Sequence, residues 1–150
     1  MAVQLTLMAG VAASGLAGLV GLAGPAWSGW PRMVTSVVGL VLIVAAATLF
    51  WRGWRDLSDN LTAFPKPLET ARLVDTGAYA LVRHPLYGAL VFIGVGWALF
   101  SASPVTMALA GLLTIFADMK ARREEVWLMA RYDSYGSYRA RTHRLIPWLY

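Results

Sequence analysis

Long charge-free apolar runs alternate with short polar breaks along this chain. Val3 to Gly24 carries no charged residue over 22 positions, and Val34 to Trp51 carries none over 18. At about 1.5 Å of rise per residue, a run of this length crosses a hydrocarbon core about 30 Å thick, so each predicts a transmembrane helix. No positively charged segment precedes the first run, and it is long for the apolar part of a signal peptide, which favours a retained helix. The segment between them, Gly-Pro-Ala-Trp-Ser-Gly-Trp-Pro, brings two tryptophans to a place where a membrane–water boundary suits them. Residues 1–51 therefore read as an N-terminal helical hairpin.

Residues 52–84 change character, with arginines, aspartates, Asn60 and the pair Pro65 and Pro67, and read as a polar connection. Two shorter apolar runs follow, Leu86 to Phe100 and Val105 to Ala117, separated by Ser-Ala-Ser-Pro. Ser103 is placed to cap a helix whose first position is Pro104. That fourth helix should continue past the apolar run, because Ala117 to Tyr132 (ADMKARREEVWLMARY) holds strong helix formers with no glycine or proline. The pattern predicts an all-α integral membrane bundle of about four transmembrane helices in one domain, 1–150, with a helical hairpin and tail over 85–150.

Composition agrees: 58% of residues are hydrophobic and 14% charged, against about 25% charged in ordinary soluble domains. There is no cysteine, which excludes disulfides and thiolate metal sites and leaves two histidines and eight carboxylates as possible ligands; no metal is expected. The net charge of +5 comes from residues that flank apolar runs rather than lining a soluble face. Anionic lipid headgroups account for it better than nucleic acid does. Five basic residues (Arg52, Arg55, Lys66, Arg72, Arg83) lie in 52–84 and seven after Asp118, whereas the 25–33 linker has only Arg32. With four crossings the two rich segments share one side, so both termini are expected to be cytoplasmic, in a membrane of the bacterial inner-membrane type. Gly10, Ser14 and Gly18, and Ala9, Ala13, Ala17 and Gly21, give the first helix small faces suited to internal helix packing.

The chemistry gathers in Gly77 to Gly88, GAYALVRHPLYG. Proline holds the preceding residue away from the helical region and itself suits the first helical turn, so the third helix should begin at Pro85 with His84 as its cap. The unpaired N–H groups of Leu86, Tyr87 and Gly88 then make an anion site, with His84 a donor beside it. Gly77, after Asp75-Thr76, predicts a positive-φ turn that brings Tyr79 back to the same place. Glu124 and Glu125 lie on the fourth helix, antiparallel to the third, and so face a common region. A plainer reading stays open, in which Arg83 snorkels to lipid phosphates, His84 only caps, and Asp118–Arg122 and Lys120–Glu124 are surface i,i+4 pairs.

This string, the Glu-Glu pair 37 residues after Tyr87, then Leu128, Tyr135, Tyr138 and a closing RLIPWLY, resembles the isoprenylcysteine carboxyl methyltransferase family and its phospholipid methyltransferase relatives. Asn60 and Pro-Lys-Pro extend the likeness to roughly residues 60–150. The chain departs from the family in lacking the glycine usual after the aromatic at position 132. The resemblance implies an integral membrane enzyme that uses S-adenosylmethionine without a Rossmann sheet and methylates a lipid or small lipophile. Residue by residue it implies cofactor contacts from His84, Pro85, Leu86 and Tyr87, with Tyr79 and the backbone near Leu73 and Val74 around the adenosine. Glu124 and Glu125 would complete that site, and Lys120 or Arg123 would orient the acceptor. Membrane sterol-type reductases share a similar Arg-His-Pro-x-Tyr string and would use NADPH, and a non-enzymatic lipid-binding module is the third reading.

Overall fold

The computed structural model describes residues 2–22, 27–57 and 73–150. Its elements are α1 (Ala2–Leu19), α2 (Gly29–Leu57), a 3-10 turn (Gly77–Ala80), α3 (Pro85–Ser101), α4 (Pro104–Arg131) and α5 (Tyr135–Arg141). The only extended pairing among the described residues is an isolated parallel bridge between Val82 and His143. Helices α1, α2 and α4 are long and apolar enough to cross a membrane, and α3, at 17 residues, is a shorter apolar helix. The expected all-α membrane bundle is thus the observed architecture. Only 11% of the apolar window of α2 is buried within the protein, so most of its apolar surface is left for lipid.

Helix α2 departs from the apolar run at both ends. It takes Trp30, Pro31 and Arg32 into its first turn and continues to Leu57, six residues past Trp51. Arg52 to Leu57 contains only one glycine and no proline, so polar residues extend the helix where hydropathy alone stops it. Asn60, Pro65, Lys66, Pro67 and Arg72 lie outside the described residues.

The chain divides into two compact units. The first, residues 1–47 and 90–116, is a four-helix assembly held by small residues. Ser14 Oγ lies 2.9 Å from Thr106 Oγ1, joining α1 to α4, and Gly15 leaves room for the Trp97 indole of α3. Gly39 of α2 and Gly96 of α3 approach so closely that a Cβ on Gly39 would stand 2.7 Å from the Phe100 backbone nitrogen; only glycine admits that backbone contact. The Gly10, Ser14 and Gly18 face of α1 therefore serves internal packing, whereas Ala9, Ala13 and Gly21 are exposed. Ala102, at φ 51°, closes α3, and Ser103 Oγ accepts a 3.2 Å bond from the Thr106 N–H, capping α4 ahead of Pro104 as expected.

The second unit, residues 48–89 and 117–150, contains the last turns of α2, the first turn of α3, the polar extension of α4 and α5. Gly53 of α2 packs on Pro85. Tyr135 and Tyr138 of α5 are buried edge to face, centroids 5.6 Å apart, and the Tyr138 hydroxyl donates to the Tyr79 carbonyl at 2.7 Å. The tail after α5 runs back along the start of α3. The Arg83 N–H donates to His143 O at 2.8 Å and the His84 N–H to Arg144 O at 3.1 Å. Leu145 is buried, with its carbonyl against Gly88.

Candidate active site

The site lies in the second unit, and its backbone is set by a glycine and a proline. Gly77 has φ 61°, a conformation an L side chain rarely adopts, and the Asp56 carboxylate fills the space its Cβ would take. Asp56 Oδ2 accepts the Ala78 N–H at 2.7 Å, fixing the 3-10 turn to the end of α2. The turn buries Tyr79. Six residues past Ala78, His84 precedes α3, and the Gly88 N–H reaches the His84 carbonyl at 2.9 Å. Pro85 has no N–H to satisfy; the Leu86 and Tyr87 N–H groups lie before the first intrahelical acceptor and carry the positive end of the helix dipole.

Glu124 and Glu125 are successive residues of α4 with different surroundings. Glu125, its side chain 4% exposed, sits among cations: Arg83 Nε at 2.7 Å, Arg144 Nε at 3.2 Å and Arg139 Nε at 3.8 Å. Arg83 is itself buried and also donates to the carbonyls of Arg139 (3.2 Å) and Thr142. Arg144 bridges onward to Asp118 Oδ1 at 3.2 Å and the Tyr150 hydroxyl at 2.7 Å. The Glu124 side chain is 21% exposed. It receives the Tyr87 hydroxyl at 2.9 Å.

His84 stands between the two carboxylates, Nδ1 3.4 Å from Glu124 and Nε2 3.6 Å from Glu125. Its ring stacks on Tyr87 with centroids 5.7 Å apart. Burial alone would lower the imidazole pKa, but the hydrogen bonds and charges of Glu124 and Glu125 outweigh it and raise it above the usual value. The two carboxylates thus favour the protonated ring, in which both nitrogens are donors. Its Nε2 is nevertheless a buried nitrogen without a hydrogen-bond partner. Burial, and after it the Glu124 charge, pushes the Tyr79 phenol well above its ordinary range, which keeps it a neutral donor.

Of the residues singled out from sequence, Tyr79, His84, Pro85, Leu86, Tyr87, Glu124 and Glu125 come together in this unit. Lys120 joins them, its Nζ 5.2 Å from the Tyr87 ring centroid. Leu73 and Val74 are half-buried in the irregular segment leading to Gly77, which a pair between Asp75 and Arg141 ties to α5. Arg123 is exposed, outside the cluster. Asp118 and Arg122 do form the i,i+4 pair, at 2.7 Å. Arg83, left open as a lipid-phosphate ligand, instead turns inward to Glu125, because a buried carboxylate requires a cation more than a solvated phosphate does.

Sequence reasoning missed Arg144, Arg139, Thr142, Tyr138 and Asp56 as supports of this cluster. Arg144, which opens the RLIPWLY string, and Tyr138 were visible as part of the likeness; Arg139, Thr142 and Asp56 carried no local signal, since each acts on a residue far away in the chain.

No curated protein matches the chain. The phospholipid methyltransferase family model does, over residues 34–135, which takes in α2 to the start of α5 and thus Tyr79, the α3 N-terminus and both glutamates. With more than half of the chain matched, the protein belongs to the phospholipid methyltransferase family.

Proposed function

We propose that the protein takes a methyl group from S-adenosylmethionine and delivers it to a lipophilic acceptor: an isoprenylcysteine-like carboxylate, a phospholipid amine or another small lipophile. One observation carries the reading. Of two adjacent glutamates, Glu125 is saturated by cations, while Glu124 is held half-open by Tyr87 and His84 beside the N-terminus of α3. A ligand bearing both a carboxylate and an ammonium fits this pair of opposite poles. The Leu86 and Tyr87 N–H groups suit the carboxylate, and Glu124 suits an ammonium or ribose hydroxyls. His84 Nδ1, 3.4 Å from Glu124, is the ring nitrogen on the side of the half-open carboxylate.

S-adenosylmethionine, when bound, supplies a methyl carbon made electrophilic by a sulfonium. The chain's own part is to bind and orient. His84, Pro85, Leu86 and Tyr87 take the amino-acid end, and Tyr79, with the backbone at Leu73 and Val74, encloses the adenosine. Glu125 contributes by fixing Arg83 and His84, and so the angle at which Glu124 is offered. Lys120, over the Tyr87 ring, is better placed than the exposed Arg123 to steer an anionic headgroup. A carboxylate acceptor needs no general base; an amine must first lose a proton.

The distribution of basic residues supports cytoplasmic termini in a bacterial-type inner membrane. Calorimetry of the detergent-purified protein tests the cofactor assignment. S-adenosylhomocysteine should bind saturably and NADPH should not; the reverse outcome would favour a reductase and end this reading.

A further inference from the structure

The tail after Leu145 makes a tight turn that the site does not use. The Leu149 N–H donates to Ile146 O at 3.3 Å and the Tyr150 N–H to the same carbonyl at 3.0 Å, while the Leu145 and Ile146 N–H groups return to Tyr150 O at 2.8 and 2.9 Å. Pro147 stands at the second position of this turn and Trp148 at the third, with φ 60°. Glycine is the residue that favours that conformation, so an indole there is held against a backbone preference. Packing inside the protein does not offset the strain: Trp148 is 83% exposed and Leu149 78%.

Both ends of the turn are nevertheless anchored. Leu145 is buried, and the Tyr150 hydroxyl engages Asp118 at 3.2 Å, Arg122 at 2.6 Å and Arg144 at 2.7 Å. Two large apolar side chains are thus presented outward on a fixed support.

Its location says what covers it. The Leu145 carbonyl lies against Gly88, one turn into α3, where the charge-free run from Leu86 has just begun. A charge-free helical run that starts at this level suits a boundary with the headgroups. The same unit exposes Trp51 and Trp54 at the end of α2, residues suited to the interface, and the guanidinium groups of Arg122, Arg139 and Arg141, which are paired with Asp118, Glu125 and Asp75 yet remain about half exposed toward lipid phosphates.

We propose that Pro147–Leu149 is a membrane wedge, its Trp148 and Leu149 side chains seated at the boundary between headgroups and acyl chains. The partner is the bilayer itself, and the wedge ties the tail that carries Arg144, and with it Glu125, to the lipid surface.

The absence of cysteine makes the test clean. Leu149→Cys and, separately, Trp148→Cys are labelled with an environment-sensitive fluorophore in full-length protein reconstituted into phosphatidylethanolamine–phosphatidylglycerol vesicles, each with parent-like melting as its folding control. A wedge gives blue-shifted emission, with quenching by lipids carrying a nitroxide near the top of the acyl chain several-fold stronger than by aqueous iodide. Water-like emission quenched mainly by iodide overturns the proposal. So does shielding from both quenchers, which would mean that a second copy of the chain covers the turn.

Discussion

Replacing Glu125 by glutamine removes one charge and almost no volume from the centre of the ion cluster. The side chain is 4% exposed, and its carboxylate faces Arg83, itself 7% exposed in its side chain, at 2.7 Å, and Arg144, 12% exposed, at 3.2 Å. Removing a buried partner strands the opposite charge, at a cost of about 3–5 kcal/mol. Arg83 cannot escape by deprotonation, and its remaining partners are neutral, two backbone carbonyls and the Thr142 hydroxyl. Glu125→Gln should therefore destabilise by about 3–5 kcal/mol, whereas Arg144→Met, which leaves Glu125 with Arg83, should cost only about 1.5–3 kcal/mol, the range of a hydrogen bond between charged groups. Reversible unfolding in mixed micelles, followed by circular dichroism, measures both. Glu125→Gln should be the more destabilising of the two. A Glu125→Gln loss under about 1 kcal/mol, as for a solvated surface pair, would refute it.

His84 gives stability a pH dependence. Its folded pKa is raised above the usual 6.5, so the stabilisation is complete below about pH 6.5 and is lost as pH rises through the folded value; thermal melts from pH 6 upward should show that fall in the parent and not in His84→Asn. His84→Ala should weaken S-adenosylhomocysteine binding by about 1–3 kcal/mol, the cost of a charge-assisted hydrogen bond. His84→Asn, which caps well, should bind as weakly, and parent-like calorimetric affinity in the Asn variant would reduce His84 to a cap. Gly77→Ala should destabilise by about 1–3 kcal/mol in the same unfolding assay, from the positive φ and from displacement of Asp56 off the Ala78 N–H. A neutral Gly77→Ala would mean that the turn relaxes freely.

The parts of this protein legible in sequence are those written in local chemistry. Pro85 announced the start of α3 because its ring dictates the backbone on both sides, Ser103-Pro104 announced α4, and Asp75-Thr76-Gly77 announced a positive-φ turn. Hydropathy found the membrane helices but stopped α2 at Trp51, since helix propensity and not apolarity carries it to Leu57. The illegible parts were the long-range pairings. Arg83 and Glu125 lie 42 residues apart, and nothing near either said that this arginine turns inward while His84 beside it lies between both carboxylates. The Glu-Glu pair looked symmetrical in the sequence. The tail broke that symmetry by bringing Arg144 to one member of the pair.

Methyl transfer to a lipophile should depend on Glu124. Purified protein reconstituted with lipids of a bacterial inner membrane would be incubated with S-adenosylmethionine labelled with tritium in its methyl group, and the organic extract counted. Label should appear in an organic-soluble product with the parent and be lost in Glu124→Gln at a temperature where circular dichroism shows that variant folded. Label in the extract that persists at the parent rate in Glu124→Gln, or no extractable label from a protein that binds the cofactor, would contradict it.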